Sequence, residues 1–187
     1  MKTINRNTAI TLLTLLFFGF SLSGYSQERK MTRQERNEAR QSVMTANFNI
    51  LDSLLTQKKF VLEADYLSDQ YGNITQVPSN TNFIRVNSTD GVLQTGWYSG
   101  IGYNGLGGVT TEGSIQSWKL FRDSKKLSYN LQFSLNTTLG IYDVSMNVNA
   151  DNNVYATISG LWPGKLIYKG HLATLENSNV FKGTTTL

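Results

Sequence analysis

Glu63 and Asp65 stand two residues apart in the run Phe60-Val61-Leu62-Glu63-Ala64-Asp65-Tyr66. In a strand, residues i and i+2 share a face, so the two carboxyl groups are neighbours. Such a pair can divide general acid from general base or nucleophile in glycoside cleavage. The same spacing also fits the wet face of a half-buried strand, and that simpler account is the stronger one for an isolated pair. His171 is the chain's single histidine. It shares a strand face with Lys165 and Lys169, and no nucleophile-elbow sequence supplies the activated serine of a Ser-His-Asp triad. Asp151-Asn152-Asn153 offers oxygen ligands but lacks the spaced ligands and closing Glu of a calcium loop, so it reads as a turn. The absence of cysteine excludes disulfides, a thiol nucleophile and thiolate zinc sites. No catalytic residue, cofactor or metal is expected.

The densest cluster of unusual residues is 96–108, Gly-Trp-Tyr-Ser-Gly-Ile-Gly-Tyr-Asn-Gly-Leu-Gly-Gly. Gly100 to Gly105 spell G-x-G-x-x-G, which in a dinucleotide site lets backbone N–H groups approach a pyrophosphate at a helix N-terminus. The residues that follow, Leu106 to Gly113, include Gly107, Gly108 and Gly113 and the pair Thr110-Thr111. Their low helix propensity removes the helix that nucleotide binding requires. Two readings remain: a flexible or bulged connection between strands, or a contact surface. In the second, Trp97, Tyr98, Tyr103 and Asn104 would receive a sugar, a peptide or a partner protein.

The elements that must position these residues are legible from periodicity. Thr32 and Glu35 have capping-box spacing. Met44, Phe48, Leu51 and Leu55 then form one apolar helical stripe, flanked by Val43 and Leu54. The spacing predicts a helix over 32–58, with a charged, solvated first part at 28–41. Beyond it, about eight alternating runs are separated by turn residues. They begin with Phe60–Tyr66, whose apolar face is Phe60, Leu62, Ala64 and Tyr66. Asn82–Thr89 and Val92–Tyr98 follow, joined by a hairpin at Asp90-Gly91. The clearest pair is Leu127–Leu135 and Tyr142–Val148. Residues 173–187 show no period and read as a weakly ordered tail. The expected fold is mainly β with one N-terminal amphipathic helix, as an antiparallel β-sandwich or a partly closed β-barrel.

Composition bounds what this fold serves. Lys2 and Arg6, the apolar run Ile10–Phe20 and the small-residue flank Ser21–Ser26 predict a signal peptide over 1–26. The apolar run is too short for a comfortable membrane span, which takes about 20 residues. Without Lys2 and Arg6 the chain keeps 15 basic against 13 acidic side chains, and residues 27–59 hold seven of the former and four of the latter. The β region at 59–172 is therefore close to neutral, which argues against a nucleic-acid partner. The expected compartment is periplasmic or extracellular, with no transmembrane segment in the mature chain and no lipoprotein Cys anchor.

The order and spacing of three stretches resemble a bacterial family known only as domain of unknown function 4251. They are Phe60-Val61-Leu62-Glu63-Ala64 after a charged helix, the glycine- and aromatic-rich Gly96–Gly108, and a closing Tyr168-Lys169-Gly170-His171-Leu172. The resemblance spans about 30–172. It implies an envelope protein with one domain and supplies no activity. The sequence thus leads to a non-catalytic domain whose partner is an envelope protein or a glycan. Two alternatives are a hydrolase using Glu63 and Asp65, and an assembly subunit docking through its N-terminal helix.

Overall fold

The computed structural model describes residues 30–96, 106–160 and 164–186. The chain divides into two compact units, Met1–Glu38 and Ala39–Leu187. In the first, the backbone N–H of Glu35 donates to Thr32 Oγ1 at 3.2 Å, and that of Thr32 donates to Glu35 Oε2 at 2.7 Å. This reciprocal cap satisfies two N–H groups that a helix start leaves free. It opens helix α1 (Arg33–Gln57).

In the second unit, the predicted stripe of α1 is the buried one: Phe48, Leu51 and Leu55 enter the core, with Met44 and Leu54 packed against it. Among the described residues nine strands follow: β1 (Lys59–Ser68), β2 (Ile74–Gln76), β3 (Phe83–Asn87), β4 (Asp90–Gln94), β5 (Thr110–Asp123), β6 (Ser128–Thr137), β7 (Gly140–Asn149), β8 (Val154–Ser159) and β9 (Lys165–Ala173). All pairings are antiparallel in the order β2-β1-β3-β4-β5-β6-β7-β8-β9, and β1 also pairs with β9. Eight strands thereby close a barrel, and β2 adds to β1 outside the ring. Of the two architectures compatible with the sequence, the barrel is the one formed, which removes the open edges that a sandwich keeps.

The two clearest strands behave as their alternation predicts. Tyr129, Leu131, Phe133 and Leu135 of β6 and Tyr142, Val144, Met146 and Val148 of β7 all point into the barrel. α1 fills the end where β6 begins. Phe48 stacks on Tyr129 with ring centroids 4.6 Å apart, and the Tyr129 hydroxyl lies 2.9 Å from Asp52 Oδ1 and 3.1 Å from the Phe48 carbonyl. Burial, reinforced by the Asp52 carboxylate, pushes the Tyr129 phenol well above its ordinary pKa.

Three local readings change. The hairpin between β3 and β4 turns at Ser88-Thr89, with Ser88 at φ 60°, and Asp90-Gly91 belongs to the strand. Gly91 faces inward, where a Cβ would meet Leu135 Cδ1 at 2.7 Å, so packing accounts for this glycine. In β1 the alternation breaks at Asp65. The register against β9 slips between Ala64 and Tyr66, turning Tyr66 outward and Leu67 into the core. One bulged residue reverses the faces of everything after it.

The third change concerns the chain end, which is tied down where the sequence predicts a weakly ordered tail. Residues 174–186 cross the outer face of the barrel over one register row: His171, Glu63, Phe83, Gln94 and Thr110. Ser178 Oγ donates to Glu63 Oε1 at 2.6 Å, and Phe181 N–H donates to the Asn80 carbonyl at 2.8 Å. Gly183 N–H donates to Gln94 Oε1 and Thr186 N–H to the Thr110 carbonyl, both at 2.8 Å. Under this strap Phe83, Gln94 and Thr110 are buried although they point away from the barrel interior. Hydrogen bonds without a periodic apolar pattern hold it, so periodicity gives no sign of it.

Acid should loosen the far end of the strap. The Lys182 ammonium first, and then the Thr185 hydroxyl, hold the Glu112 carboxyl below its ordinary value of 4.5. A depressed carboxyl stabilises the folded state above the unfolded pKa and loses that contribution as pH falls through the folded one. We expect the amide resonances of Gly183 and Thr186 to shift toward free-chain positions as pH is lowered from 6 to 3. In Glu112→Gln that movement should be gone. Identical titrations of the two proteins would remove Glu112 as the clasp.

Candidate functional site

The seam where β9 meets β1 gathers the titratable residues singled out by sequence. Glu63 pairs in register with His171, Ala64 with Gly170 and Leu62 with Leu172. The stretches Phe60–Ala64 and Tyr168–Leu172, over a hundred residues apart in sequence, are thus the two sides of the joint that closes the barrel. The bulge then brings Asp65 to the same histidine. His171 Nδ1 lies 3.4 Å from Asp65 Oδ2, and Nε2 lies 3.7 Å from Glu63 Oε2.

This arrangement suits a joint better than a reaction centre. The carboxylates flank opposite nitrogens of the ring, so they do not converge on one point where a metal or a scissile bond would sit. No group of three or more such side chains among the described residues has metal-holding geometry. Glu63 is further occupied by Ser178. Glu63 and Asp65 lie on the outer surface of the barrel, and among the described residues neither lines the clefts of about 340, 300 and 330 Å³. A carboxylate-dependent hydrolase needs both groups in a water-excluding pocket, and these three clefts do not bring them into one.

A cavity does exist at the barrel end opposite α1. β1, β4, β6 and β8 finish there, and β5, β7 and β9 start there. It has a volume of about 300 Å³, and its walls include Leu93, Tyr142, Ile158 and Leu166. These are inward-facing residues of β4, β7, β8 and β9, brought together only by closure. Asp69, Tyr71 and Lys165 stand at its lip. The side-chain amide of Asn73, helped by backbone N–H groups of Asn73, Tyr71 and Gly72, holds the Asp69 carboxyl below its ordinary range. Asp69 therefore remains a fixed negative charge on the β1–β2 turn. Burial raises the pKa of the Tyr142 phenol, so that wall is uncharged.

Two further features shape the interior at this end. Tyr168, wholly buried, sends its hydroxyl across the barrel to donate to the Gln94 carbonyl at 2.7 Å. Thr111 pairs in register with Leu93 and therefore points inward. It is fully buried, and its hydroxyl has no hydrogen-bond partner among the described residues. Native interiors rarely leave such a group unpaired.

The predicted contact residues Trp97, Tyr98, Tyr103 and Asn104 lie outside the described residues, as does the whole G-x-G-x-x-G spelling at 100–105. Their described flanks, Gly96 and Leu106, follow β4 and precede β5. Asp151-Asn152-Asn153 is the turn expected of it. Asn153 N–H donates to Asp151 Oδ1 at 3.0 Å, and Asn152 adopts φ 62°. Sequence reasoning did not foresee the cavity walls. Tyr142 read as an ordinary core position of its strand, and no signal set Leu93, Ile158 or Leu166 apart from other strand residues.

Comparison with known proteins adds a family and a fold. The domain of unknown function DUF4251 matches residues 42–172. The crystal structure of a DUF4251 family protein from Bacteroides eggerthii DSM 20697 is similar, at 30% sequence identity and a TM-score of 0.61. The similarity covers 73% of this chain and 93% of that one. No curated protein matches.

Proposed function

The chain belongs to the DUF4251 family, a domain family of unknown function, and from that premise we propose a non-catalytic, exported binding domain that takes a small apolar or amphipathic ligand in the open end of its barrel. One observation carries the reading. α1 fills one end of the barrel, whereas the other holds a cavity of about 300 Å³ with Leu93, Tyr142, Ile158 and Leu166 in its walls. Small barrels that leave one mouth unfilled are suited to a single small ligand.

Export rests on sequence: Lys2, Arg6 and the apolar Ile10–Phe20 ahead of a small-residue flank.

The test uses protein recovered from the envelope fraction, whose N-terminus is expected at Gln27. A protein that begins at Met1 would remove export from the reading. N-phenyl-1-naphthylamine, an apolar fluorophore, should brighten on binding. Leu166→Trp fills the space from the β9 wall and should weaken that binding by about tenfold or more, as blocking a preformed apolar pocket does. Its thermal midpoint should stay near that of the parent. No brightening with the parent, or equal brightening with Leu166→Trp, would overturn the assignment of the mouth.

A further inference from the structure

The outer face of β5 to β9, on the side of the barrel away from the strap, carries a second organised surface. β5 is bulged between Gln116 and Lys119, with Ser117 at φ 55°. The bulge sends Trp118 inward, where it stacks on Phe133 at 5.3 Å between ring centroids. It also reverses the faces of the rest of the strand. Uninterrupted alternation from the inward-facing Ile115 would place Phe121 inside. With the bulge, Phe121 is outside and 56% exposed.

Phe121 opens a register row that runs straight across four strands: Phe121, Asn130, Asn147, Tyr155. Tyr155 is 42% exposed, and the Lys169 ammonium sits over its ring at 5.2 Å. Between the two rings the amides are fixed by one another. Asn130 Nδ2 donates to Asn147 Oδ1 at 3.1 Å, and Gln132 Nε2 donates to Asn130 Oδ1 at 3.3 Å. The adjoining rows line a shallow groove of about 340 Å³ with Lys119, Gln132, Ser134, Asp143, Ser145 and Thr157. Ser134 Oγ donates to Asp143 Oδ1 at 2.7 Å, so this part is ordered too.

From this surface we infer a second binding site, for a neutral glycan chain. A solvated outer face accounts for hydroxyls and amides. It does not account for two large exposed rings on one row with mutually bonded amides between them. Three strand spacings separate the rings, about 14 Å, a span that an extended glycan of a few residues covers. The rings offer apolar faces to the C–H faces of sugars, and the amides and hydroxyls offer paired donors and acceptors to vicinal hydroxyl groups. Other partners fit less well. The centre of the strip lacks the aliphatic core of a protein interface. Its cations, Lys119, Lys165 and Lys169, stand at the margins and Asp143 opposes them, unlike the continuous basic footprint of a nucleic-acid site.

The site is independent of the barrel mouth, so the two can fail separately. The probes are hexasaccharides of β-1,4-linked glucose, xylose, mannose and N-acetylglucosamine, titrated by calorimetry into the mature protein. At least one should bind. Phe121→Ala and Tyr155→Ala should each weaken it by about five- to tenfold, the loss expected for one aromatic contact. Both side chains are exposed, and unchanged thermal midpoints will show that the fold is retained. Leu166→Trp should leave glycan binding unaltered. The inference is overturned if no hexasaccharide binds at millimolar concentration, or if the double variant Phe121→Ala/Tyr155→Ala binds as the parent does. It is equally overturned if the strip mediates self-association that the double variant abolishes, which would make it a protein interface.

Discussion

Gly170→Ala is expected to destabilise the domain by about 4 kcal/mol or more, at the upper end of what single substitutions do. A Cβ on Gly170 would stand 1.8 Å from the Glu63 carbonyl oxygen, 2.8 Å from its carbon and 2.9 Å from Ala64 Cα. All three atoms are backbone, so no rotamer change relieves the overlap. The backbone concerned is the bulged part of β1, where the register slips beside Ala64. Moving it away would break the β1–β9 ladder and open the barrel. Gly72 supplies the control, because it has φ 87° but a Cβ added there would meet nothing within 4 Å. Gly72→Ala should therefore cost only about 1 kcal/mol, the conformational penalty alone. Urea denaturation of both variants tests the contrast. If Gly170→Ala is no less stable than Gly72→Ala, steric closure at the seam is not what fixes this glycine.

Gln94→Ala is the second large effect, about 3–5 kcal/mol, because it strands several polar groups at once. The Gln94 side chain is fully buried and its amide is saturated. Nε2 donates to the carbonyls of Thr81 at 3.0 Å and Phe181 at 2.8 Å. Oε1 accepts from Gly183 N–H and Thr110 Oγ1, both at 2.8 Å. One residue thus ties the chain end to β5 and to the turn before β3. With alanine there, the Gly183 N–H and the Phe181 carbonyl lose their partner, and amide exchange at Gly183 should rise toward the free-chain rate. Stability should fall to near that of a chain ending at Ala173. Retained protection at Gly183 in Gln94→Ala would show that the strap is held by other contacts.

The inward faces of β6 and β7 were legible because alternation reports which side of a strand is dry. The stripe of α1 was legible for the same reason at helical spacing, and its start was legible because a capping box is a local device. Two of the three stretches that carried the family resemblance, the first and the last, were also visible, though not their relation. Only the structure shows that Phe60–Ala64 and Tyr168–Leu172 lie against each other. The glycine of the second stretch is explained by the backbone of the first. Local pattern failed at Asp65, Ser117 and Gly91 for related reasons. At Asp65 and Ser117 a bulge adds one residue, and no local preference marks where. At Gly91 a distant leucine takes the space that a turn would otherwise explain.

Residue type and near-neighbour spacing were enough to specify the class of the fold, the helix and its buried stripe, and a chemistry without thiols. They were not enough to specify that the sheet closes on itself, that the chain end crosses Gln94, or that Leu93, Tyr142, Ile158 and Leu166 surround one cavity. Nor did they place Phe121 and Tyr155 on one outer row. Each of these is a meeting of residues far apart in the chain. Such a meeting is set by strand register and barrel closure, which a one-dimensional pattern of apolar and polar residues does not encode.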